Sequence, residues 1–348
     1  MKFLLPLLLT VTPAGAIPAT TALTLVTEPG FNRLDVTADP QIDFGLSLAS
    51  SSTTTLTGTM LGEVNANPDT GQTSELTLRD GRVSATKLTF RKSIFLIGTV
   101  YHIELDGISA SITTPTPPGL VDAASGGFAA DQHQFEIDQG TATGTVSIPG
   151  QPSVPVDESF SPENPVTGGG SGTGTVTLTP TGESGIFRNF DIVVILPVDL
   201  DDTFDAGENA VRVTASGTIK ATGTLKIPLS EYLAWTVTHA IEGASGRADA
   251  NGDGVSNAIA WALGLDASVS AIPFVPTVSA GGFQLQLPAT ETVAPIRIQG
   301  SGDLGIWVDL PTTRISTGLN PLPAGSGGLV TITPSGTPLE FIRLHVEE

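Results

Sequence analysis

Short apolar runs alternate with polar and turn residues from about residue 23 to residue 228. In several runs the alternation has a period of two, as where Val176 and Leu178 are separated by threonines. This period is typical of strands in a sheet with one packed and one solvated face. It predicts strands at Thr53–Met60, Arg82–Phe90, Ile94–Leu105, Ile108–Thr114, Thr141–Ile148, Thr173–Thr179, Phe187–Val198 and Thr218–Ile227. We therefore expect a mainly β protein whose N-terminal domain, residues 17–228, is an antiparallel β-sandwich or barrel.

A helical period appears between residues 229 and 264. Ser230 has the residue type of an N-cap, and the apolar residues that follow it recur at helical spacing. Gly243 and Gly246 are the expected end of this helix, and Gly264 the end of a second, shorter one. This predicts a short helix-loop-helix over residues 229–268. Strand-like runs return over residues 269–348, which we expect to form a small C-terminal β-sandwich.

Composition narrows the classes of partner and chemistry. The chain of 348 residues carries a formal net charge of −20, so its surface repels nucleic acids and anionic lipid headgroups and attracts cations. It has no cysteine, which excludes disulfides, thiolate zinc sites and a cysteine nucleophile. After the first 16 residues no apolar stretch approaches the length of a membrane helix, so we expect no membrane span.

The first 16 residues have the pattern of a signal peptide. Lys2 is followed by the apolar run Phe3–Leu9 and by the small residues Ala14, Gly15 and Ala16. We expect cleavage before Ile17 and a secreted protein, extracellular or at the cell surface, with a partner that the sequence does not identify.

One segment has the spacing of a calcium-binding loop. Calcium takes six to eight oxygen ligands, which a twelve-residue loop supplies from alternating positions. Asp249, Asn251 and Asp253 would occupy positions 1, 3 and 5 of such a loop. Val255 would offer its backbone carbonyl at position 7, and Asn257 its side chain at position 9.

The loop lacks one ligand that the pattern expects. Position 12 normally supplies a bidentate glutamate, and here it is Ala260. Losing two oxygens and a full charge weakens the site, so the expected cofactor is weakly bound Ca²⁺. The alternative is a polar turn rich in Asp, Asn and Gly that joins two helices.

The C-terminal third of the chain resembles a known type of module. The segments Tyr232–Trp235, Ala248–Asn257 and Trp261–Asp266 look like a dockerin- or EF-hand-type segment. They are more closely similar to a C-terminal module of large secreted bacterial proteins, where a calcium loop precedes a helix and a short β-domain. That β-domain carries an S-x-D-L-x-x-W strand and a terminal F-x-R-L-x-V, matched here by Ser301–Trp307 and Phe341–Val346.

The resemblance covers about residues 229–348 and departs from the family pattern at Ala260 and Ala267, where Glu and Pro are expected. It implies secretion and a structural or attachment role, and it implies no reaction. The N-terminal region carries no such resemblance.

A second acidic cluster is a weaker candidate for a calcium loop. Asp199, Asp201, Asp205 and Glu208 would match positions 3, 5, 9 and 12, but position 1 would be Pro197. The alternative is a solvated acidic hairpin tip that follows an apolar strand.

Catalytic motifs are missing from the sequence. The four histidines are scattered, without metal-binding spacing, and no nucleophile elbow or phosphate loop is present. These observations favour a secreted, non-catalytic, β-rich surface or matrix protein with a binding or structural role. A polysaccharide-acting hydrolase or carbohydrate-binding accessory protein stays open, as does a carrier of apolar ligands. We expect facing carboxylates in a hydrolase, a lined apolar cavity in a carrier and a filled core in a scaffold.

Overall fold

A computed structural model of the chain describes residues 15–41, 48–147, 152–163, 165–206, 209–268, 277–279, 282–287, 292–336 and 340–347. The chain divides into two compact units, Met1–Ile227 and Pro228–Glu348. Most of the predicted signal peptide, residues 1–14, lies outside the described residues.

The predicted fold class is confirmed, because the described chain is mainly antiparallel strand with two short helices. The strands of the first unit are β1 (Ile17–Leu25), β2 (Arg33–Gln41), β3 (Ser50–Ala66), β4 (Thr73–Ala85), β5 (Leu88–Ile94), β6 (Gly98–Thr113), β7 (Gly119–Leu120), β8 (Gly127–Ala129), β9 (Gln134–Val146), β10 (Val154–Phe160), β11 (Val166–Gly170), β12 (Thr173–Ser184), β13 (Phe187–Ala206) and β14 (Asn209–Pro228).

All fourteen strands belong to one sheet, and part of that sheet closes into a ring. Its path runs β14-β2-β3-β4-β6-β9-β11-β13, and β13 pairs with β14 in turn. Eight strands therefore form a closed barrel. The first strand, β1, lies beyond the end of β2, since β1 pairs with both β14 and β3. Because the barrel is closed, strands that are far apart in the sequence turn their inward faces toward one shared interior.

Several strand boundaries differ from the prediction. The run Arg82–Phe90 belongs to two strands, because β4 ends at Ala85 and β5 begins at Leu88. The runs Ile94–Leu105 and Ile108–Thr114 contain a single strand, β6, which continues across an irregularity between Asp106 and Ser109. A bulge of this kind adds residues to one strand without ending its pairing, so a turn-like sequence need not be a turn. The first residues of the run Ile94–Leu105 form the turn between β5 and β6.

Two glycines of the barrel allow unusually close approach between strands. A Cβ atom added at Gly58 of β3 would lie 2.1 Å from the Arg82 carbonyl oxygen. At Gly144 of β9 it would lie 2.1 Å from the His102 carbonyl oxygen. No side chain fits at either position, so both glycines are needed for the strands to pack this closely.

The described residues of the second unit form both helices and six short strands. These are α1 (Glu231–Thr238), α2 (Asn257–Ala262), β15 (Thr277–Ser279), β16 (Gly282–Leu287), β17 (Arg297–Ser301), β18 (Val308–Asp309), β19 (Gly328–Ile332) and β20 (Phe341–His345). The strands form two sheets, β15-β16-β19 and β18-β17-β20. Leu263, Leu285, Ile296 and Ile298 are among the buried residues of their shared core.

Ser230 caps α1 as predicted, because its side chain accepts a hydrogen bond from the Leu233 amide. The helix ends at Thr238, earlier than the expected Gly243. The chain leaves the helical path at Ala240, which has a φ of 56°, and the Thr236 hydroxyl then accepts a hydrogen bond from the Gly243 amide. In the described part of the chain, neither helix has the length and apolarity needed to span a bilayer.

Candidate functional site

The barrel encloses a cavity of about 150 Å³. Twenty-six described residues line it, and all of these but Thr54 and Glu158 are apolar. They come from β2, β3, β4, β5, β6, β9, β10, β13 and β14. The hydroxyl of Thr54 donates to the Thr86 carbonyl oxygen at 2.8 Å, so it is already satisfied. A molecule in the cavity would therefore contact almost only apolar side chains.

Small side chains on inward-facing positions leave this space unfilled. Five of the lining residues are alanines, contributed by β2, β4, β6, β9 and β14: Ala38, Ala85, Ala110, Ala142 and Ala215. Ala142 illustrates the effect, because it is buried and stands in register between Leu105 of β6 and Glu158 of β10. Native cores are otherwise packed with few voids larger than a water molecule. A cavity of this size is therefore larger than ordinary core packing leaves.

One carboxylate lies on the cavity-facing side of β10. Along this strand Val156, Glu158 and Phe160 share a face, and all three line the cavity. Val156 is buried, whereas Glu158 is exposed. Within the described residues β10 pairs with β9 alone, so its other edge is open. The Glu158 carboxylate has no hydrogen bond or ion pair to any described residue. It stands where the cavity meets solvent.

Two buried titratable side chains of this unit are held neutral. The Tyr101 hydroxyl donates to the Leu48 carbonyl oxygen at 2.7 Å, and burial raises the pKa of Tyr101 to about 12. The ring of His133 is almost fully buried, with its Nδ1 2.9 Å from the Thr114 hydroxyl, and burial lowers the pKa of His133 to about 4. Neither is among the residues that line the cavity.

The predicted calcium loop forms a compact turn in the second unit. The Asp249 carboxylate accepts hydrogen bonds from the amides of Gly252, Asp253 and Gly254. The Asn251 side chain accepts from the Asp253 amide and donates to the Asp253 carboxylate at 3.1 Å. Three of the predicted ligands are therefore close together, and their oxygens accept hydrogen bonds from the loop itself.

Asn257 closes the base of this loop. Its side-chain oxygen accepts from the Ala250 amide at 3.1 Å, and its nitrogen donates to the Ser245 carbonyl oxygen at 3.2 Å. Both polar ends are thus used for backbone contacts, and the residue is buried. Val255 donates its amide to the Asp253 carboxylate, and Ala260 is buried on α2. The groups that fit a cation best are the carboxylates of Asp249 and Asp253.

The second acidic cluster does not wrap into a loop along its described length. Asp199 and Asp201 lie in the extended strand β13, on either side of the buried Leu200. Asp201 forms an ion pair with Arg212 of β14, whose guanidinium holds the pKa of that carboxyl below its usual range. The Asp205 side chain and Glu208 lie outside the described residues.

The two C-terminal motifs that carry the resemblance, Ser301–Trp307 and Phe341–Val346, contact each other. The Asp303 carboxylate accepts hydrogen bonds from the amides of Gly305 and Ile306, and these bonds lower the pKa of its carboxyl group. The Arg343 guanidinium stacks on the Trp307 ring, 4.4 Å from its centre. These contacts tie β20 to the turn before β18, which is a structural role.

Within the described residues, no three His, Asp or Glu side chains cluster as a metal site requires. The strongest candidate site is therefore the barrel cavity. The sequence left a cavity between the N-terminal sheets open as an alternative, without naming the residues that line it. The available signal was weak: a lone glutamate and several alanines at inward positions of apolar strands. No family model, curated protein or solved structure matches the chain.

Proposed function

We propose that the N-terminal unit binds a small apolar molecule in its barrel cavity, as an exported carrier or binding protein. The observation that carries the proposal is the cavity of about 150 Å³ with 24 apolar residues among its 26 lining residues. Eight-stranded barrels have interiors just wide enough to be filled by side chains or to hold one small ligand. An apolar cavity of about this size, engineered into another protein, stays dry and binds benzene.

The cavity supports this function better than the alternatives. A scaffold gains nothing from unfilled space, because each void forfeits packing contacts. A glycoside hydrolase needs two carboxyl groups on either side of the bond that it breaks. Among the described residues that line the cavity, Glu158 is the single ionisable one. The arrangement therefore favours binding over hydrolysis at this place.

Size sets the expected affinity. A benzene-sized molecule that loses about 200 Å² of apolar surface gains on the order of 5 kcal/mol, at about 25 cal/mol/Å². This corresponds to a dissociation constant on the order of 0.1–1 mM. A longer ligand that reaches the mouth at Glu158 buries more surface and binds more tightly.

The test uses the full chain and ligand-observed NMR with toluene. Saturation transfer from the protein to toluene is expected in the wild type and should disappear in Ala142→Leu, which fills the cavity. Leu120→Ser is the matched control, because Leu120 is 66% exposed in the same unit and lies outside the cavity. Absence of transfer in the wild type, or equal transfer in Ala142→Leu, would refute the proposal.

The negative charge of Glu158 should make the site prefer amphiphiles with a cationic end over those with an anionic end. A hexylammonium ion should bind about two- to fivefold more tightly than hexanoate, the range of an exposed ion pair. In Glu158→Gln this preference should vanish while toluene binding persists. An unchanged preference in Glu158→Gln would place the charged end of the ligand elsewhere.

A further inference from the structure

The hairpin of β5 and β6 ends in an apolar tip that is open to solvent. Phe95, Leu96 and Ile97 are consecutive in its turn, and they are 88%, 91% and 44% exposed. Single exposed apolar residues are common, but a contiguous group of large ones marks an interaction surface. These residues lie outside the cavity, so they form a surface separate from the proposed ligand site.

The backbone holds this tip in a conformation that is costly for leucine. The Ile97 amide donates to the Ile94 carbonyl oxygen at 3.1 Å, which closes a four-residue turn. Leu96 is the third residue of that turn and has a φ of 68°. Glycine or asparagine is the usual choice there, because other side chains are strained at positive φ. The chain instead directs a large apolar side chain into solvent.

The part of this hairpin nearest the tip carries positive charge in an acidic protein. Residues 88–103 include Arg91 and Lys92 and no Asp or Glu, and the acidic residues Glu104 and Asp106 follow farther along β6. Arg91 and Lys92 lie three to four residues before the tip. Neither forms an ion pair with a described residue. The Arg91 guanidinium donates to the Thr99 hydroxyl across the hairpin, and the Lys92 ammonium to the Ala49 carbonyl oxygen.

We propose that this hairpin docks the protein on an anionic lipid bilayer. Phe95, Leu96 and Ile97 enter the boundary between headgroups and acyl chains, while Arg91 and Lys92 lie at the level of the lipid phosphates. Apolar side chains with basic residues beside them are the combination that binds such interfaces. Long basic side chains keep their charge in the headgroup layer while their stems contact apolar surface.

The net charge of −20 does not prevent this contact. Charges farther apart than a Debye length, about 8 Å at physiological ionic strength, are largely screened from each other. On the hairpin itself, the acidic residue nearest the tip is Glu104, six residues along β6 from Gly98, or about 20 Å at about 3.3 Å per residue. The charges of the hairpin nearest the tip are therefore Arg91 and Lys92.

The hairpin also connects the tip with the cavity. Leu88 and Phe90 of β5 line the cavity, and Ile94 packs against the same core cluster near the tip. The docking surface and the cavity wall are thus two ends of one hairpin. Docking on lipid needs only the apolar tip with Arg91 and Lys92 beside it, and it does not require a ligand in the cavity.

The test is flotation of the full chain with vesicles of phosphatidylcholine, alone or mixed with phosphatidylglycerol. The wild type should float with the mixed vesicles, and added salt should weaken its binding. Phe95→Ser combined with Leu96→Ser should lower the partition coefficient about tenfold or more, because each apolar insertion is lost. Arg91→Gln combined with Lys92→Gln should remove the preference for phosphatidylglycerol.

Two controls separate this proposal from its rivals. Leu120→Ser, at an exposed residue away from the tip, should float like the wild type, and so should the cavity-filling Ala142→Leu. A wild type that does not float with mixed vesicles overturns the proposal. So does flotation that persists in the double tip variant. Dimers that form through the tip without lipid, together with no flotation, would assign the surface to a second copy of this chain.

Discussion

Replacing Ala142 by leucine should stabilise the barrel, although it enlarges a buried side chain. Ala142 is 8% exposed and lines the cavity, so the added atoms enter space that no side chain fills. Three additional carbons contribute about 2.4 kcal/mol at about 0.8 kcal/mol each. Ordering the longer side chain costs about 0.5–1 kcal/mol. The net gain is about 1.5 kcal/mol, which corresponds to about 3–6 °C in melting temperature for a unit of this size.

Ala221 provides the matched control for this experiment. It is 1% exposed on β14, it pairs with Leu25, and it is not among the residues that line the cavity. Leucine at a packed site forces its neighbours to move, which costs about 1–3 kcal/mol. Differential scanning calorimetry should therefore show opposite shifts, upward for Ala142→Leu and downward for Ala221→Leu. Similar losses of stability in both variants would mean that the cavity is not available to side chains.

Three other predictions concern titration, calcium and export. Because His133 has a folded pKa of about 4, below its unfolded value of about 6.5, the unfolded chain binds more protons between these values, and stability falls as pH drops. Urea unfolding should show a loss of up to about 3 kcal/mol from pH 7 to pH 4 that His133→Gln lacks; equal pH profiles would contradict this. Ala260→Glu places a carboxylate at a buried position, which should lower the free energy of unfolding by about 1–3 kcal/mol without calcium, and calcium should offset this loss. Calorimetry measures both effects, with Asp253→Ala as the control. An unchanged affinity for calcium would mean that the segment is a polar turn and not a calcium site. Mass spectrometry of the secreted protein should find Ile17 at its N-terminus, and Met1 on secreted material would rule out cleavage.

The period-two pattern was sufficient to predict the fold class. The alternation of Val176 and Leu178 with threonines reflects a local property, since successive side chains of a strand point to opposite faces. The N-cap at Ser230 was predicted for the same reason, because a cap depends on the few residues that follow it. The turn around Asp249 likewise follows from its spacing of Asp, Asn and Gly.

Local patterns were less reliable where two strands meet. The run from Ile94 to Leu105 has the composition of one strand, yet Phe95, Leu96 and Ile97 form an exposed turn. Apolar residues in a strand-like run are expected to be buried, and nothing in the local sequence marks the point where β5 reverses. The pairing of Arg91 with His102 and its neighbours determines where the hairpin turns.

The cavity was decided by tertiary structure alone. Its walls join residues as distant in sequence as Leu34 and Ile219, and they face one another because β13 pairs with β14 and closes the ring. Whether an inward alanine leaves a void depends on the side chains opposite it, which strand order and register determine. The hydrogen-bond partners of Asn257 were decided in the same way, since folding brings its side-chain amide to the backbone of Ala250 and Ser245. Patterns among neighbouring residues specify that the chain forms strands, a helix cap and a polar turn, whereas the ends of the strands, the empty space and the partners of each polar group depend on contacts between segments that only folding brings together.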